Sequence, residues 1–256
     1  MIHFQPDMIL GWVGSLMWPF LRISGLFMVA PVFGSRSVPV RVRVSLAFLL
    51  AWMISGAVPV PEGVAVVSVE GFLLAAIEVI TGLAMGFLML LTFTAVILAG
   101  QTVAMTSGLG FAMAIDPGSG VQVPVVSQFM LILATLIFLG SDGHLAMVAI
   151  LISSFEAWPA GQVPLGADTF LQLASFLGHV FAMALVMALP ALLSVLMVNL
   201  ALGIVTRAAP QLNIFAVGFP ISIMVGFLVL LLSLDVLSHQ SIALFERAFE
   251  ELRHLM

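Results

Sequence analysis

The sequence contains no cysteine, tyrosine or lysine, and charged residues make up only 7% of its 256 positions. Without cysteine the chain has no disulfide, no thiolate metal site and no thiol nucleophile. Seven bases and twelve acids cannot cover a water-facing surface, because a soluble domain carries about 25% charged residues. The composition therefore excludes soluble enzymes, nucleic-acid-binding proteins and disordered linkers.

Apolar residues dominate instead, at 62% of the chain, and the mean hydropathy is +1.28. This is the composition of a membrane protein. No polar or charged linker divides the sequence, so we predict a single integral membrane domain over residues 1–256. The first residues, MIHFQPD, carry an acid and no base, and we expect this start to be retained rather than cleaved as a signal peptide.

Apolar runs between charges predict an all-α membrane protein, and we find no strand-like alternation. The first two segments are 8–33 and 44–58, and the third begins near Glu70. Between Glu78 and Asp116 lie 37 uncharged residues, which as one helix would reach about 55 Å against a hydrocarbon core of about 30 Å. We therefore expect N-terminal helices within 1–99, followed by a Gly-rich loop over 100–123.

The second half should form helical hairpins over residues 124–236. Segments 124–140 and 144–157 are joined at the Gly140-Ser-Asp-Gly143 turn. The next 38 uncharged residues, 169–206, contain Pro190, which predicts either one long kinked helix or a tight hairpin.

A last apolar segment is predicted over 214–236, followed by an amphipathic tail, 237–256. Phe245, Phe249, Leu252 and Met256 fall at helical spacing, and Glu246, Glu250 and Arg253 take another face.

The distribution of arginines gives only part of the topology. Three of them in the 36–43 loop place that loop on the cytoplasmic side, and the base-free turn 59–70 outside. If 124–140 and 144–157 both cross the membrane and 169–206 crosses once, Arg207 lies outside and the tail inside. If 169–206 is a hairpin that crosses twice, both positions are reversed. Both possibilities stay open.

Patterns of known active sites are missing: there is no GxGxxG, P-loop or HExxH. Ser119 precedes His144 by 25 residues, which suggests an intramembrane serine protease, but the surrounding motif is missing and two polar turns explain the pair better. The five histidines do not cluster. We predict no catalytic residue, no cofactor and no metal.

Two opposite charges interrupt the apolar runs. Arg22 and Glu78 are expected to pair between the first and third segments, because a charge at membrane depth needs a partner. A structural ion pair is favoured over a proton or ion site. Gly82 and Gly86 form a GxxxG step that permits close helix contact.

The stretch from Gly100 to Pro124 is rich in glycine and in bulky apolar residues. Irregular backbone at membrane depth is tolerated where protein buries it or where it lines a water-filled path. A mobile hydrophobic constriction or plug and an ordinary loop with buried anchors both fit this pattern. The candidate plug residues are Met105, Gly108, Gly110, Phe111 and Met113.

The segment 206–221 concentrates proline, glycine and amide side chains between two apolar runs. Pro210, Gly218 and Pro220 predict a bend rather than a continuous helix. The donors at this bend indicate a contact surface between subunits: Arg207, Gln211 and Asn213.

Three stretches resemble the FliR-type proteins of the flagellar type III export gate. The same family includes the equivalent subunit of virulence injectisomes. The first has RISG at Arg22, APVFG at Ala30–Gly34 and Val38-Pro39. The second has GQ at Gly100, GLGFAMA at Gly108, Asp116-Pro117 and the later Gly143-His144-Leu145. The third is APQLNIFAVGFP, Ala209–Pro220. The resemblance covers essentially the whole chain.

This resemblance implies a subunit that assembles with FliP-type and FliQ-type proteins into a helical, ring-like gate of hairpins in the inner membrane at the flagellar basal body. Unfolded flagellar proteins would pass through the gate, and an FlhB-type switch protein would wrap its cytoplasmic mouth. It also implies that Gly108 to Pro117, including Asp116, acts as a plug, and that the hairpins need not be regular bilayer spans.

A secondary transporter with discontinuous helices is the competing class, with Arg22, Glu78 and the breaks at Gly108–Gly120 and Pro190 as its path. Such a transporter should show two halves with corresponding broken segments. We find no such halves in the sequence.

Overall fold

The structure is a computed structural model, and it describes residues 6–35, 37–59, 61, 64, 67–109, 124–161, 167–209 and 214–256. Within these ranges the chain forms helices and contains no strand. The eight helices of this part are α1 (Pro6–Val29), α2 (Val40–Ile54), α3 (Val69–Thr106), α4 (Val125–Gly140), α5 (Gly143–Ala157), α6 (Ala167–Ala208), α7 (Ile214–Leu232) and α8 (Leu234–His254). The predicted all-α membrane class is confirmed.

Three helices are long and apolar enough to cross a membrane: α1 over Gly11–Val29, α3, and α6 over Leu171–Ala208. The number rises to five if the bent pairs α4 with α5 and α7 with α8 each count as one span. At 1.5 Å per residue, the 38 residues of α3 and the 42 of α6 reach about 57 and 63 Å. Both helices are about twice as long as the hydrocarbon core is thick.

Helix α2 begins at Val40, four residues before the predicted segment, and ends at Ile54. The charges of Arg41 and Arg43 suggested a loop, but both residues lie in the first turn, directly after Pro39. Arg43 reaches back to the loop, where its Nη2 donates to the carbonyl of Ser35 at 3.1 Å. The base therefore stabilises the loop from within the helix.

Helix α3 continues to Thr106, so the prediction that helix gives way to loop at Gly100 is wrong. Gly100 lies against the backbone of Ser127 on α4, and a Cβ at Gly100 would come within 2.5 Å of the Ser127 Cα. The glycine serves close helix packing. In the sequence alone, a glycine that packs against a neighbouring helix cannot be distinguished from a glycine in a loop.

Helix α6 is one continuous helix with Pro190 inside it, which decides against the tight hairpin. The following apolar segment ends at Leu232 rather than 236, where a 62° bend leads into α8. The tail is amphipathic as predicted, since Phe245, Phe249 and Leu252 are buried and Glu246 and Glu250 are exposed.

The residues form two compact units, each with its own packing. The first consists of Met1–Leu91, Asp142–Phe176 and Glu246–Met256. In it α1 contributes large, fully buried side chains such as Trp18 and Phe27.

The second unit consists of Thr92–Ser141 and Leu177–Phe245. Its aromatic cluster joins Phe93, Phe138 and Phe245, with ring centroids 5.1 to 5.4 Å apart. A single functional domain over the whole chain stays a prediction.

Candidate functional site

A buried ion pair in the first unit joins α1 to α3. The Nε of Arg22 donates to Oε2 of Glu78 at 2.7 Å, and Nη2 donates to Oε1 at 3.1 Å. Both side chains are fully buried, with 0% exposure. The fork of the guanidinium meets both oxygens of the carboxylate, which is the strong, orientation-specific form of this pair.

The remaining donors of Arg22 bind the C-terminal end of α5. Nη1 donates to the carbonyl oxygen and to the hydroxyl of Ser154, both at 3.0 Å. Nη2 also donates to the carbonyl of Trp158 at 3.0 Å. A guanidinium has five N–H groups, so every donor of Arg22 has an acceptor.

The end of α5 favours this cation for two further reasons. Unpaired carbonyls at a helix C-terminus carry partial negative charge, which attracts a positive group. In addition, the ring of Phe155 lies 4.0 Å from the guanidinium carbon of Arg22, a cation–π distance. Arg22 thus caps α5 from a helix more than 120 residues away in sequence.

Glu78 accepts a third hydrogen bond in addition to the two from the guanidinium. The backbone N–H of Gly161 donates to its Oε1 at 3.1 Å. Gly161 has a φ of +89°, a backbone conformation that glycine adopts without steric cost. The cluster of Arg22, Glu78, Ser154, Trp158 and Gly161, named here the arginine clasp, thus joins α1, α3 and the chain that leaves α5.

Glycines let α1 and α3 approach closely enough for the clasp to form. Gly82 faces the backbone carbonyl of Arg22, and Gly86 faces that of Leu26, so the predicted GxxxG contact is confirmed. Gly25 on α1 does the same toward Val79 and Leu83 on α3. Any Cβ at these positions would meet backbone atoms, which cannot move away.

The end of α3, in the second unit, is built around Gly108. The N–H of Leu109 donates to the carbonyl of Ala104, and that of Gly108 to the carbonyl of Met105, which is the Schellman pattern of helix termination. Gly108 has a φ of +86°. A Cβ there would come within 2.5 Å of the Phe219 ring on α7.

Of the candidate plug residues, two lie in the described part of the chain. Met105 is 61% exposed in the last turn of α3, and Gly108 lies two residues beyond the end of the helix at Thr106. Gly110, Phe111, Met113, Asp116 and Pro117 lie outside the described residues. The plug itself stays a prediction, but Gly108 ends a helix and is not a free hinge.

At the predicted bend, Arg207 lies exposed in the last turn of α6, and Pro210, Gln211 and Asn213 fall outside the described residues. Helix α7 begins at Ile214 and runs through Gly218 and Pro220. The expectation that these two residues interrupt the helix is wrong. A proline near the start of a helix removes one backbone hydrogen bond and leaves the later turns intact.

Sequence reasoning missed three partners in the clasp: Ser154, Trp158 and Gly161. All three contribute backbone carbonyl or N–H groups, which every residue has, and only Ser154 adds a side-chain group, its hydroxyl. An arginine in an apolar helix predicts one acidic partner. It does not reveal how many further acceptors the guanidinium has or where they lie.

The chemistry available to this site is binding and positioning. All donors of Arg22 are occupied, and its positive charge is neutralised by Glu78 inside the fold. Within the described residues, no group of three or more His, Asp or Glu side chains is placed to hold a metal ion.

Long apolar helices fastened by a buried, neutralised ion pair define an all-α integral membrane protein. The family model for bacterial export proteins, family 1, matches residues 13–248 of the chain. The chain therefore belongs to this family.

Curated relatives agree with this membership. The chain is 38% identical to the flagellar biosynthetic protein FliR of Escherichia coli over 88% of its own length and 86% of that protein. It is 37% identical to the FliR of Pectobacterium carotovorum over 100% and 98% of the two chains. It is 32% identical to the Bacillus subtilis protein of the same name over 93% and 92%.

Proposed function

We propose that this chain is a non-enzymatic subunit of the flagellar type III protein export gate, where it forms part of the channel for unfolded flagellar proteins. Membership in an export family supports this proposal, as do relatives named flagellar biosynthetic proteins that match nearly the whole chain. The chain acts as a scaffold and conduit and carries out no chemical step of its own.

One observation carries the proposal furthest, namely the long exposed apolar face of α6. Within the second unit, large apolar side chains are exposed from Leu177, at 37%, to Val205, at 45%. This separation corresponds to about 42 Å of helix, whereas the hydrocarbon core is about 30 Å thick. Lipid tails alone are too short to cover the face, so other proteins cover part of it.

The partners that we propose are FliP-type and FliQ-type subunits, which complete a ring of helical hairpins with this chain. An FlhB-type switch protein lies at the cytoplasmic mouth, and lipid of the bacterial inner membrane covers the remaining apolar surface. The assembly is part of the flagellar basal body. The proposal needs no cofactor and no nucleic acid.

Within this gate, the segment from Gly108 to Pro117 closes the channel. Its start is fixed, because Gly108 ends α3 against Phe219, and the exposed Met105 lies one turn earlier. The region from Arg207 to Pro220 forms a joint with a neighbouring subunit. Arg22 and Glu78 hold the fold together rather than carry protons, since all donors of the arginine are engaged.

Export from living cells tests the function. A flagellated strain that lacks this chain should synthesise flagellar subunits but leave none in the culture medium, and supplying the chain should restore their release. The control is release through the general secretory pathway, which should stay normal in both strains. Export of flagellar subunits at the parental rate without the chain would contradict the proposal.

A further inference from the structure

The residues that end α3 lie against one face of α7 within the second unit. A Cβ at Gly108 would come within 2.5 Å of the Phe219 ring. A Cβ at Gly226 would come within 2.5 Å of Oγ and 3.3 Å of Cβ of Ser107. Because Phe219 and Gly226 are close to two helical turns apart, they share this face, and the two contacts are separated by about 10 Å along α7.

Helix α7 is itself fastened to α6. Ser222, which lies between the two contact points, is only 4% exposed, and its hydroxyl donates to Oδ1 of Asn199 at 2.9 Å. Val195 on α6 is fully buried, and its Cγ2 lies 3.6 Å from the Cβ position built at Gly226. A specific hydrogen bond therefore holds α7 to α6, and these two helices form the fixed side of the contact with α3.

The α3 side of the contact buries a hydroxyl that has no partner. Ser107 is 2% exposed, and its Oγ makes no hydrogen bond in the part of the chain that the structure describes. The nearby hydroxyls of Thr102 and Thr106, by contrast, donate to carbonyls one turn earlier, at 2.8 and 2.7 Å. A buried hydroxyl without a partner costs free energy that is recovered when water reaches it. The contact is therefore weaker than an apolar contact of the same shape.

Gly226 adds to this weakness, because it presents bare backbone to Ser107. No side chain of Gly226 interlocks with α3, so the two surfaces can separate without a rotamer change on α7. The arginine clasp of the first unit is built in the opposite way, since every donor of Arg22 has an acceptor there. The clasp suits a permanent joint, whereas the contact of Ser107 with Gly226 suits one that opens.

We propose that the contact of Ser107 with Gly226 is a releasable latch, which is closed while the channel is sealed and parts when the channel opens. The closed latch holds the end of α3 against α7. When it parts, the hydroxyl of Ser107 gains water or a backbone carbonyl as its partner, which offsets some of the lost packing. This inference rests on the proposed function, because it takes the segment that begins at Gly108 to be the seal.

A reversible cross-link tests whether the latch has to part. The chain contains no cysteine, so Ser107→Cys together with Gly226→Cys supplies a single pair of thiols, in a strain whose partner subunits also lack cysteine. Their Cβ atoms would lie 3.3 Å apart, just below the range of about 3.5 to 4.5 Å found in disulfides. Transport of flagellar subunits into inverted membrane vesicles should stop when an oxidant forms the disulfide, and it should return when a reductant breaks it.

Two kinds of control belong to this experiment. Each single cysteine variant should transport equally well with oxidant and with reductant, which excludes an effect of oxidation elsewhere. A second pair, Asn199→Cys with Ser222→Cys, joins α7 to α6 where a hydrogen bond already holds them. Its disulfide should leave transport unchanged, because the latch does not require these two helices to separate.

Substitutions on the two sides of the latch should act in opposite directions. Ser107→Ala removes the unpaired hydroxyl and should lower the ion conductance of the purified complex about threefold, since the closed state gains stability. Gly226→Leu forces α3 away from α7 and should raise the conductance. Gly178→Leu is the matched control, because nothing lies within 4 Å of its added Cβ. If Gly226→Leu prevents assembly, Gly226→Ala replaces it, since its methyl group also meets Ser107.

Two results would overturn the inference. The first is transport at the parental rate after gel analysis shows that nearly all chains carry the disulfide between positions 107 and 226. The second is a conductance that Ser107→Ala and Gly226→Leu change in the same direction, or that neither changes, in complexes that assemble normally.

The proposed function fails separately. Vesicles from a strain without this chain that still transport flagellar subunits contradict that function and, with it, this inference. Transport that requires the chain but continues in the presence of the disulfide contradicts the latch alone.

Discussion

The carboxylate of Glu78 receives two hydrogen bonds from the guanidinium of Arg22, at 2.7 and 3.1 Å, across two helices whose side chains are otherwise almost entirely apolar. The pair completes its hydrogen bonding with the end of α5, so three segments distant in sequence depend on it. Because both charges are buried, the loss of one partner leaves the other without compensation.

Removal of one member of this pair should therefore cost more than removal of both. Arg22→Leu and Glu78→Leu should each lower the free energy of unfolding by about 3 to 5 kcal/mol. The double variant should lose less than the sum, because no charge stays buried alone. Reversible unfolding of the four proteins in mixed detergent micelles measures this cycle, and strictly additive losses would show that the pair is not coupled.

The close contact of α1 and α3 gives a second prediction. Gly82→Ala should lower the free energy of unfolding by about 1 to 3 kcal/mol, because the added methyl group meets backbone atoms of Arg22 and Leu26. Gly178→Ala is the matched control, since nothing lies near its Cβ, and alanine there should stabilise the helix by up to about 1 kcal/mol. Equal effects at the two glycines would contradict the packing role of Gly82.

The end of α3 gives a third prediction. Gly108→Ala should cost about 1 to 2 kcal/mol from the left-handed backbone alone, and more because the methyl group meets the Phe219 ring. The double variant should be less stable than Phe219→Ala by the backbone cost alone, because no ring then remains for the methyl group to meet. Unfolding measurements on the two single variants and the double variant separate the two contributions. A Gly108→Ala variant as stable as the wild type would show that α3 does not end in this way.

A fourth prediction concerns the plug. Deletion of residues 110–118, with Gly108 and the end of α3 kept, should leave assembly intact and raise ion leakage through the gate. Conductance of the purified complex in planar bilayers measures the change, with the undeleted complex as the control. Unchanged conductance in a fully assembled complex would remove the plug role from this segment.

The sequence was enough to predict the contact between Arg22 and Glu78, since two opposite charges in apolar runs have few alternatives to pairing. The turn between α4 and α5 was predicted nearly to the residue, because Gly140 and Gly143 flank a polar pair in an apolar stretch. These predictions succeeded where one strong energetic term, the cost of a polar group among apolar ones, decided the structure.

Glycines and prolines were harder to interpret. Gly100 and Gly218 are helical, although a glycine within an apolar run also fits a loop, and only the neighbouring helix decides between the two. Pro220 likewise lies inside α7, where loss of one backbone bond is tolerated. The capping of α5 by Arg22 could not be predicted, because its acceptors at Ser154 and Trp158 include backbone carbonyls that no residue type reveals.

The central claim, that this chain is one subunit of a multi-protein export gate, is tested most directly by the composition of the complex that it forms. The tagged chain should be purified from its own bacterium in mild detergent, and the intact assembly weighed by native mass spectrometry. We predict one stable complex that contains this chain with several copies of two small hydrophobic partners, of the FliP and FliQ types. A chain that is recovered only as a monomer or a homodimer, from cells that export flagellar subunits normally, would contradict the account.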